Sequence, residues 1–237
     1  MTLIIATTSP GQPEIFASLQ GEGPSAGRPC VFVRLSRCNL ACVWCDTAYT
    51  WRFTGPRAFE RKANQVVLSE ADTAARILAL NGKRLVITGG EPLLQGSALA
   101  RLLALLPALH VEIETNATVA PPPALDRQVH QYNVSPKLAH SGNASALALI
   151  PKRLAAFAAD RRAFFKFVIA TPADIAEVLD LAATYAIPRE RLFLMPEGTD
   201  SATLHTRSRW LAQICASEGL RLSDRLHIHL HGDTRGT

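Results

Sequence analysis

Long apolar runs, blocks of like charge and a large aromatic complement are all missing from this 237-residue chain. No hydrophobic stretch approaches the roughly 18 residues of a spanning helix, so a membrane partner is not expected. The N-terminal Met1-Thr-Leu-Ile-Ile-Ala is apolar but has no basic leader, and Pro10, Gly11 and Pro13 interrupt it before a signal-peptide core forms; a cytoplasmic location is expected. Lysine and arginine, 25 against 20 acidic residues, never run longer than a pair, and three Tyr and three Trp make a poor stacking platform. A nucleic-acid partner is therefore not expected. The net charge of +5 favours an anionic small molecule instead. Five cysteines, an odd number, do not make a secreted disulfide framework.

What is present is a regular alternation. Strand-like runs at 31–36, 85–88, 111–115, 130–134, 164–169, 192–195 and 226–230 are separated by helical patterns. Ser69 three residues before Asp72 signals one helix start, Asn81-Gly82 its stop, and Thr171-Pro172 signals another start. Strand–helix–strand repetition implies parallel strands and right-handed crossovers, so the class is α/β. A closed eight-stranded barrel usually takes about 250 residues. Segments 47–62 and 117–127 carry no good helix, and Pro121-Pro122-Pro123 reads as a stiff connector. An incomplete, TIM-like barrel with some crossover helices reduced to loops is expected, in a single domain over residues 1–237.

Three cysteines stand together in Cys38-Asn-Leu-Ala-Cys42-Val-Trp-Cys45, just past the strand at 31–36. Three thiols on one loop suit one metal centre. Structural zinc usually takes four ligands, and only three are supplied here, with Cys30 and Cys215 placed apart as core residues. Three thiolates fit a cubane iron–sulfur cluster with one iron left open for a further ligand.

CxxxCxxC with Trp44 before the last cysteine, followed by Thr88-Gly-Gly-Glu-Pro92, resembles the radical S-adenosylmethionine enzymes. Gly89 and Gly90 are then expected to let the backbone approach the cofactor's amino group, where a Cβ would collide. Phe16-Ala-Ser-Leu-Gln-Gly-Glu-Gly23, Val31-Phe-Val-Arg34, Cys45-Asp-Thr47, Glu114-Thr-Asn116, Ser135-Pro-Lys137, Lys166-Phe-Val168, Met195-Pro-Glu197 and Arg225-Leu-His-Ile narrow the likeness. Over nearly its whole length the chain is similar to the 7-carboxy-7-deazaguanine synthase family. That resemblance implies conversion of 6-carboxy-5,6,7,8-tetrahydropterin to 7-carboxy-7-deazaguanine with loss of ammonia, a step towards queuosine. It also implies a 4Fe-4S cluster, S-adenosyl-L-methionine and Mg2+, an electron donor such as flavodoxin or ferredoxin, and a homodimer.

Residue by residue, the resemblance makes Cys38, Cys42 and Cys45 the cluster ligands. Trp44, Cys45, Asp46, Gly89, Gly90, Ser135, Pro136, Lys137, Met195, Pro196, Glu197 and Gly198 fall at S-adenosylmethionine positions. Leu19, Gln20, Gly21, Arg34, Thr88, Glu114, His231 and the terminal Thr237 fall at pterin positions, and Thr47 at a magnesium ligand. Read from residues alone, several of these have plainer roles. Thr47 is also a turn or cap residue, Gln20-Gly-Glu-Gly23 a flexible turn, Ser135-Pro-Lys137 a strand-end turn and Glu114 a surface carboxylate. His227, His229 and His231 also suit one face of a strand or a zinc-like cluster, and period alone does not say whether Arg34 looks inward. Arg37 and Ala117 depart from the family, where Gly is usual. Two alternatives stay open: a glycyl-radical-enzyme activase, which shares the triplet, and a zinc-stabilised binding module.

Overall fold

The apolar runs become strands of one sheet in the computed structural model, which describes residues 2–237. They are β1 (Thr2–Ser9), β2 (Gln12–Pro13), β3 (Ile15–Leu19), β4 (Pro29–Leu35), β5 (Gln65–Ser69), β6 (Arg84–Gly89), β7 (His110–Thr115), β8 (Gln131–Val134), β9 (Ala163–Ile169), β10 (Leu192–Pro196) and β11 (Arg221–Leu222). The helices are α1 (Arg61–Asn64), α2 (Glu70–Ala79), α3 (Gly96–Leu103), α4 (Pro123–Asp126), α5 (Ser145–Ala148), α6 (Pro151–Ala159), α7 (Asp174–Thr184), α8 (Ser201–Glu218) and α9 (Leu226–His231).

Across the sheet the order is β11-β10-β9-β8-β7-β6-β4-β1-β2, with β3 on β4 and β5 on β1. From β4 to β11 each junction is parallel, the result strand–helix alternation requires. The sheet is mixed α/β and does not close on itself. Residues 47–62 hold only a 3-10 turn at Ala48–Thr50 and the opening of α1, and β7 reaches β8 through the four-residue α4. Those crossovers are mostly loop.

Three expectations are corrected. The segment 226–230 is not a strand: it lies in α9, where Ile228 is buried and Leu230 is 54% exposed, so the alternating His/apolar pattern does not mark two sheet faces. The helix expected to open at Thr171-Pro172 begins at Asp174, because the Asp174 carboxylate reaches back to accept the Ala170 and Thr171 N–H groups, both at 2.8 Å. β1, β3 and β5 form an antiparallel flank that strand–helix alternation does not signal. The start of α2 follows its code: Ser69 Oγ accepts the Asp72 N–H at 3.0 Å, and Asn81 leaves the helix at a φ of 49°.

Period two along the strands decides which side chains face inward. Val31, Val33, Leu35, Leu85, Ile87, Ile113, Phe165 and Leu194 join the main core with Leu99 and Leu102 of α3. Their neighbours therefore point to the opposite, concave face, and register aligns them: Arg34 beside Thr88, Glu114 beside Asn133, Val168 beside Met195. Arg34 thus looks inward. One step towards the strand starts, fully buried Glu112 accepts from Arg84, from Ser25 Oγ at 2.8 Å and from the Gln131 and Asn133 amides at 3.0 Å each. This polar floor closes the concave face from below. Glu112→Ala would leave the largely covered Arg84, 13% exposed, without its anion and the Gln131 and Asn133 amides without this acceptor, and should cost about 3 kcal/mol, read as a lowered free energy of denaturant unfolding.

Candidate active site

The concave face opens into a cavity of about 550 Å³ whose wall brings together residues as far apart as Glu14 and Thr237. Cys38, Cys42 and Cys45 line it, with Trp44, Asp46 and Thr47. Two distant turns cradle their loop. Ala41 N–H donates to Asn143 Oδ1 at 2.9 Å, Val43 N–H to Ser141 O at 3.0 Å, and Asn39 Nδ2 to Thr118 Oγ1 at 2.7 Å. Cys30 and Cys215 are buried in the core away from this wall.

The wall also holds Leu19, Gln20, Gly21, Arg34, Thr88, Gly89, Gly90, Glu114, Ser135, Lys137, Met195, Pro196, Glu197, Gly198 and Thr237. Gln20, Thr88 and Glu114 form one hydrogen-bonded set: Glu114 accepts from Gln20 Nε2 at 3.1 Å and from Thr88 Oγ1 at 2.8 Å. Lys137 Nζ donates to Ser135 Oγ at 2.8 Å and sits 5.6 Å from the Trp44 ring centre, which stacks on His140. Pro136 and His231 are not part of the wall. The helical turn of α9 places His227 in it instead, four residues before the exposed His231. Gly21 is more than a flexible turn, since a Cβ there would lie 2.1 Å from His227 Nδ1.

Gly89 and Gly90 are required by the protein's own backbone as well. A Cβ on Gly89 would lie 2.2 Å from the Leu35 carbonyl oxygen, and one on Gly90 would lie 2.2 Å from that of Arg37. The glycines admit the neighbouring backbone, and through it the approach to Cys38. Arg37 and Ala117, where glycine is usual in the family, hold left-handed φ values of 80° and 67°. The glycine conformation persists without the glycine, at a cost of about 1–2 kcal/mol per residue.

Several wall residues have partners that the motifs do not reveal. Glu22 accepts from Lys166 and from Arg225 Nε at 3.0 Å, and Arg225 also donates to Asp46. Burial opposes charge on Glu22, yet Lys166, Arg225 and His227 together hold its carboxyl well below the ordinary range. Partial desolvation likewise works against Asp46, whose side chain is 33% exposed, and Arg225 holds its carboxyl below the ordinary range. His227 goes the other way: burial pushes its imidazole below the usual value. Fully buried Glu14 accepts from Arg34 Nε at 2.8 Å and from the Tyr49 hydroxyl at 2.8 Å, orienting the guanidinium. Glu22, Asp46, Lys166, Arg225 and His227 stand in segments that carry the resemblance, whereas Glu14 and Tyr49 do not; all of them become neighbours only on folding.

The sequence pattern of the Radical SAM superfamily matches residues 33–134, the stretch holding the cysteine loop, the Gly-Gly-Glu-Pro turn and Glu114. A 7-carboxy-7-deazaguanine synthase of Pyrobaculum aerophilum is 39% identical over 226 residues, covering 94% of this chain and 95% of the relative. One from Hyperthermus butylicus is 36% identical over 222 residues, covering 91% and 90%. The crystal structure of QueE from Escherichia coli is similar with a TM-score of 0.68 at 27% identity, over 96% of this chain and 95% of that one. The fold and the cysteine loop define a radical S-adenosylmethionine enzyme. Within that class, the chain belongs to the 7-carboxy-7-deazaguanine synthase family, lyases of the queuosine pathway. The activase and zinc-module alternatives fall away with that membership.

The residues present fit the 4Fe-4S cluster and S-adenosylmethionine that the family uses. Among the described residues no three His, Cys, Asp or Glu side chains gather tightly enough to hold a single ion, the arrangement zinc requires. A cubane makes no such demand, because each thiolate takes a different iron. Burial pushes the Cys38 thiol up to about 11 and raises Cys42, so cluster loading displaces protons from this loop.

Glu91 of the Gly-Gly-Glu-Pro turn ties the site together. Fully buried, it accepts the Asn116 N–H at 2.7 Å, the Thr115 hydroxyl at 2.9 Å and the Leu93 N–H at 3.0 Å. Burial pushes its pKa up to about 7, against these bonds. A raised carboxyl pKa means that the folded state favours the proton. Its contribution is complete below the ordinary carboxylate range and is lost as pH rises through about 7. The stability advantage of the wild-type apoprotein over Glu91→Gln should therefore shrink between pH 4.5 and 7.5, measured by thermal unfolding; equal pH slopes would contradict it.

Proposed function

We propose that this chain converts 6-carboxy-5,6,7,8-tetrahydropterin to 7-carboxy-7-deazaguanine with loss of ammonia, using the cavity above the concave face. The observation that carries the reading is the shared wall: the cysteine loop and the Gln20–Thr88–Glu114 set face the same 550 Å³ space. Cys38, Cys42 and Cys45 hold the cluster. Trp44, Asp46, Gly89, Gly90, Ser135, Lys137 and the Met195–Gly198 segment hold S-adenosylmethionine. When bound, these groups supply the radical that takes hydrogen from the substrate, while the protein orients and shields.

On the substrate side, Arg34 takes the pterin carboxylate through guanidinium N–H groups that Glu14 leaves free. Glu114 and Gln20 meet the donor- and acceptor-rich pterin edge, with Leu19, Gly21 and Thr88 beside them. His227 takes the place first given to His231, and Thr237 faces the same space. Thr47 binds Mg2+. Its side chain lines the cavity, makes no capping bond to Ala48–Thr50 and places Oγ1 3.7 Å from Cys45 Sγ. The fold is a partial TIM-like barrel in one domain. A flavodoxin or ferredoxin supplies electrons, the chain forms a homodimer, and it works in the cytoplasm; among the described residues no helix is long and apolar enough to cross a membrane.

Anaerobically reconstituted protein given reductant, S-adenosylmethionine, Mg2+ and the carboxytetrahydropterin should form the deazapurine, detected by mass spectrometry. Arg34→Gln should raise KM about 10- to 100-fold, the worth of one or two charge-assisted bonds. No product from protein with an intact cluster would reject the assignment.

A further inference from the structure

We infer that Trp51 and Asn143 set the reduction potential of the cluster held by Cys38, Cys42 and Cys45, by donating N–H bonds to its ligand sulfurs. The inference rests on the cluster assignment above and goes beyond it, to residues outside every motif read from the sequence.

The indole Nε1–H of Trp51 donates to Cys45 Sγ at 3.3 Å, and Asn143 Nδ2 donates to Cys42 Sγ at 3.2 Å. Neither donor belongs to the loop: Trp51 follows the Ala48–Thr50 turn, and Asn143 lies 101 residues beyond the cysteine it meets. The amide orientation is set by its other end. Asn143 Oδ1 accepts the Ala41 N–H at 2.9 Å, which leaves the NH2 to face sulfur. Cys38 receives only longer contacts, from Leu40 N–H at 3.5 Å and Asn116 Nδ2 at 3.9 Å.

A neutral thiol is a weak acceptor, so donors aimed this way are best matched by thiolate. Reduction adds one electron from an external low-potential donor, dithionite in the assay below; no bond breaks and no proton moves. Part of the added negative charge falls on the thiolate sulfurs. An N–H dipole pointing at them stabilises the reduced state more than the oxidised one and raises the potential. Trp51 and Asn143 act through the cysteines and are positioning residues.

The test is a potentiometric titration of the reconstituted holoenzyme, following the electron paramagnetic resonance signal of the reduced cluster. Trp51→Phe keeps the ring and removes the N–H; Asn143→Leu removes the second donor at similar volume. Each variant should assemble full iron and sulfide yet reduce at a lower potential. The expected shift is about tenfold in the reduction equilibrium, or about 59 mV for one electron. The double variant should shift by the sum, because the two donors meet different sulfurs. If one variant fails to fold, the other still gives the reading. A variant with a complete cluster and the wild-type potential would overturn the inference alone. Wild-type protein that assembles no iron and sulfide would overturn the cluster assignment and this inference with it.

Discussion

An open sheet has no ladder to hold its two ends in register around a cavity, and here an ionic chain, largely buried, takes that place. Glu22 follows β3, Lys166 lies on β9, Arg225 stands just before α9, and Asp46 belongs to the cysteine loop. Arg225 bridges Glu22 and Asp46, while Lys166 meets Glu22 from the sheet. Glu22, Lys166 and Arg225 lie far from water and are tolerated there only when paired, so separating their segments would leave an uncompensated charge, while Asp46 stays solvent-exposed. The segment that carries Gln20, the loop that carries the thiols and the C-terminal residues are located by the same few charges.

A second tie works from the sheet side. Glu91 joins the turn after β6 to the turn after β7, and Asn116 from that second turn reaches Asn39 and Cys38. The close backbone approach at Gly89 and Gly90 completes the joint. Gly89 and Gly90 make room for the protein's own chain. Positioning of the cysteine loop therefore depends on a buried carboxyl, two missing Cβ atoms and two left-handed residues, Arg37 and Ala117, held there by neighbouring hydrogen bonds.

The cavity keeps its functions apart. Sulfur-facing donors gather around the cysteine loop, while carboxylate and amide groups gather around Glu114. Arg34, held by Glu14, which also accepts from Tyr49, faces the same space from β4. Alternation along β4, β6, β7 and β9 makes this possible: one face is given to the core, the other to chemistry.

The cysteine triplet, the Gly-Gly-Glu-Pro turn, the parallel strands and the α2 boundaries were legible in the chain because each rests on local spacing: thiols on one loop, period two in a strand, a cap three residues from its acceptor. The inward direction of Arg34, the helical state of 226–231 and the choice of His227 over His231 were not. They depend on which face the helices cover and on where α9 meets the wall. Glu14, Trp51 and Asn143 were equally silent, as was the pairing of Glu22 with Arg225. Their partners lie from 6 to 203 residues away, and a hydrogen bond between distant residues leaves no period or spacing to read. Pattern along the chain thus gave the chemistry a place to start, and contacts across it supplied the groups that hold, charge and orient the site.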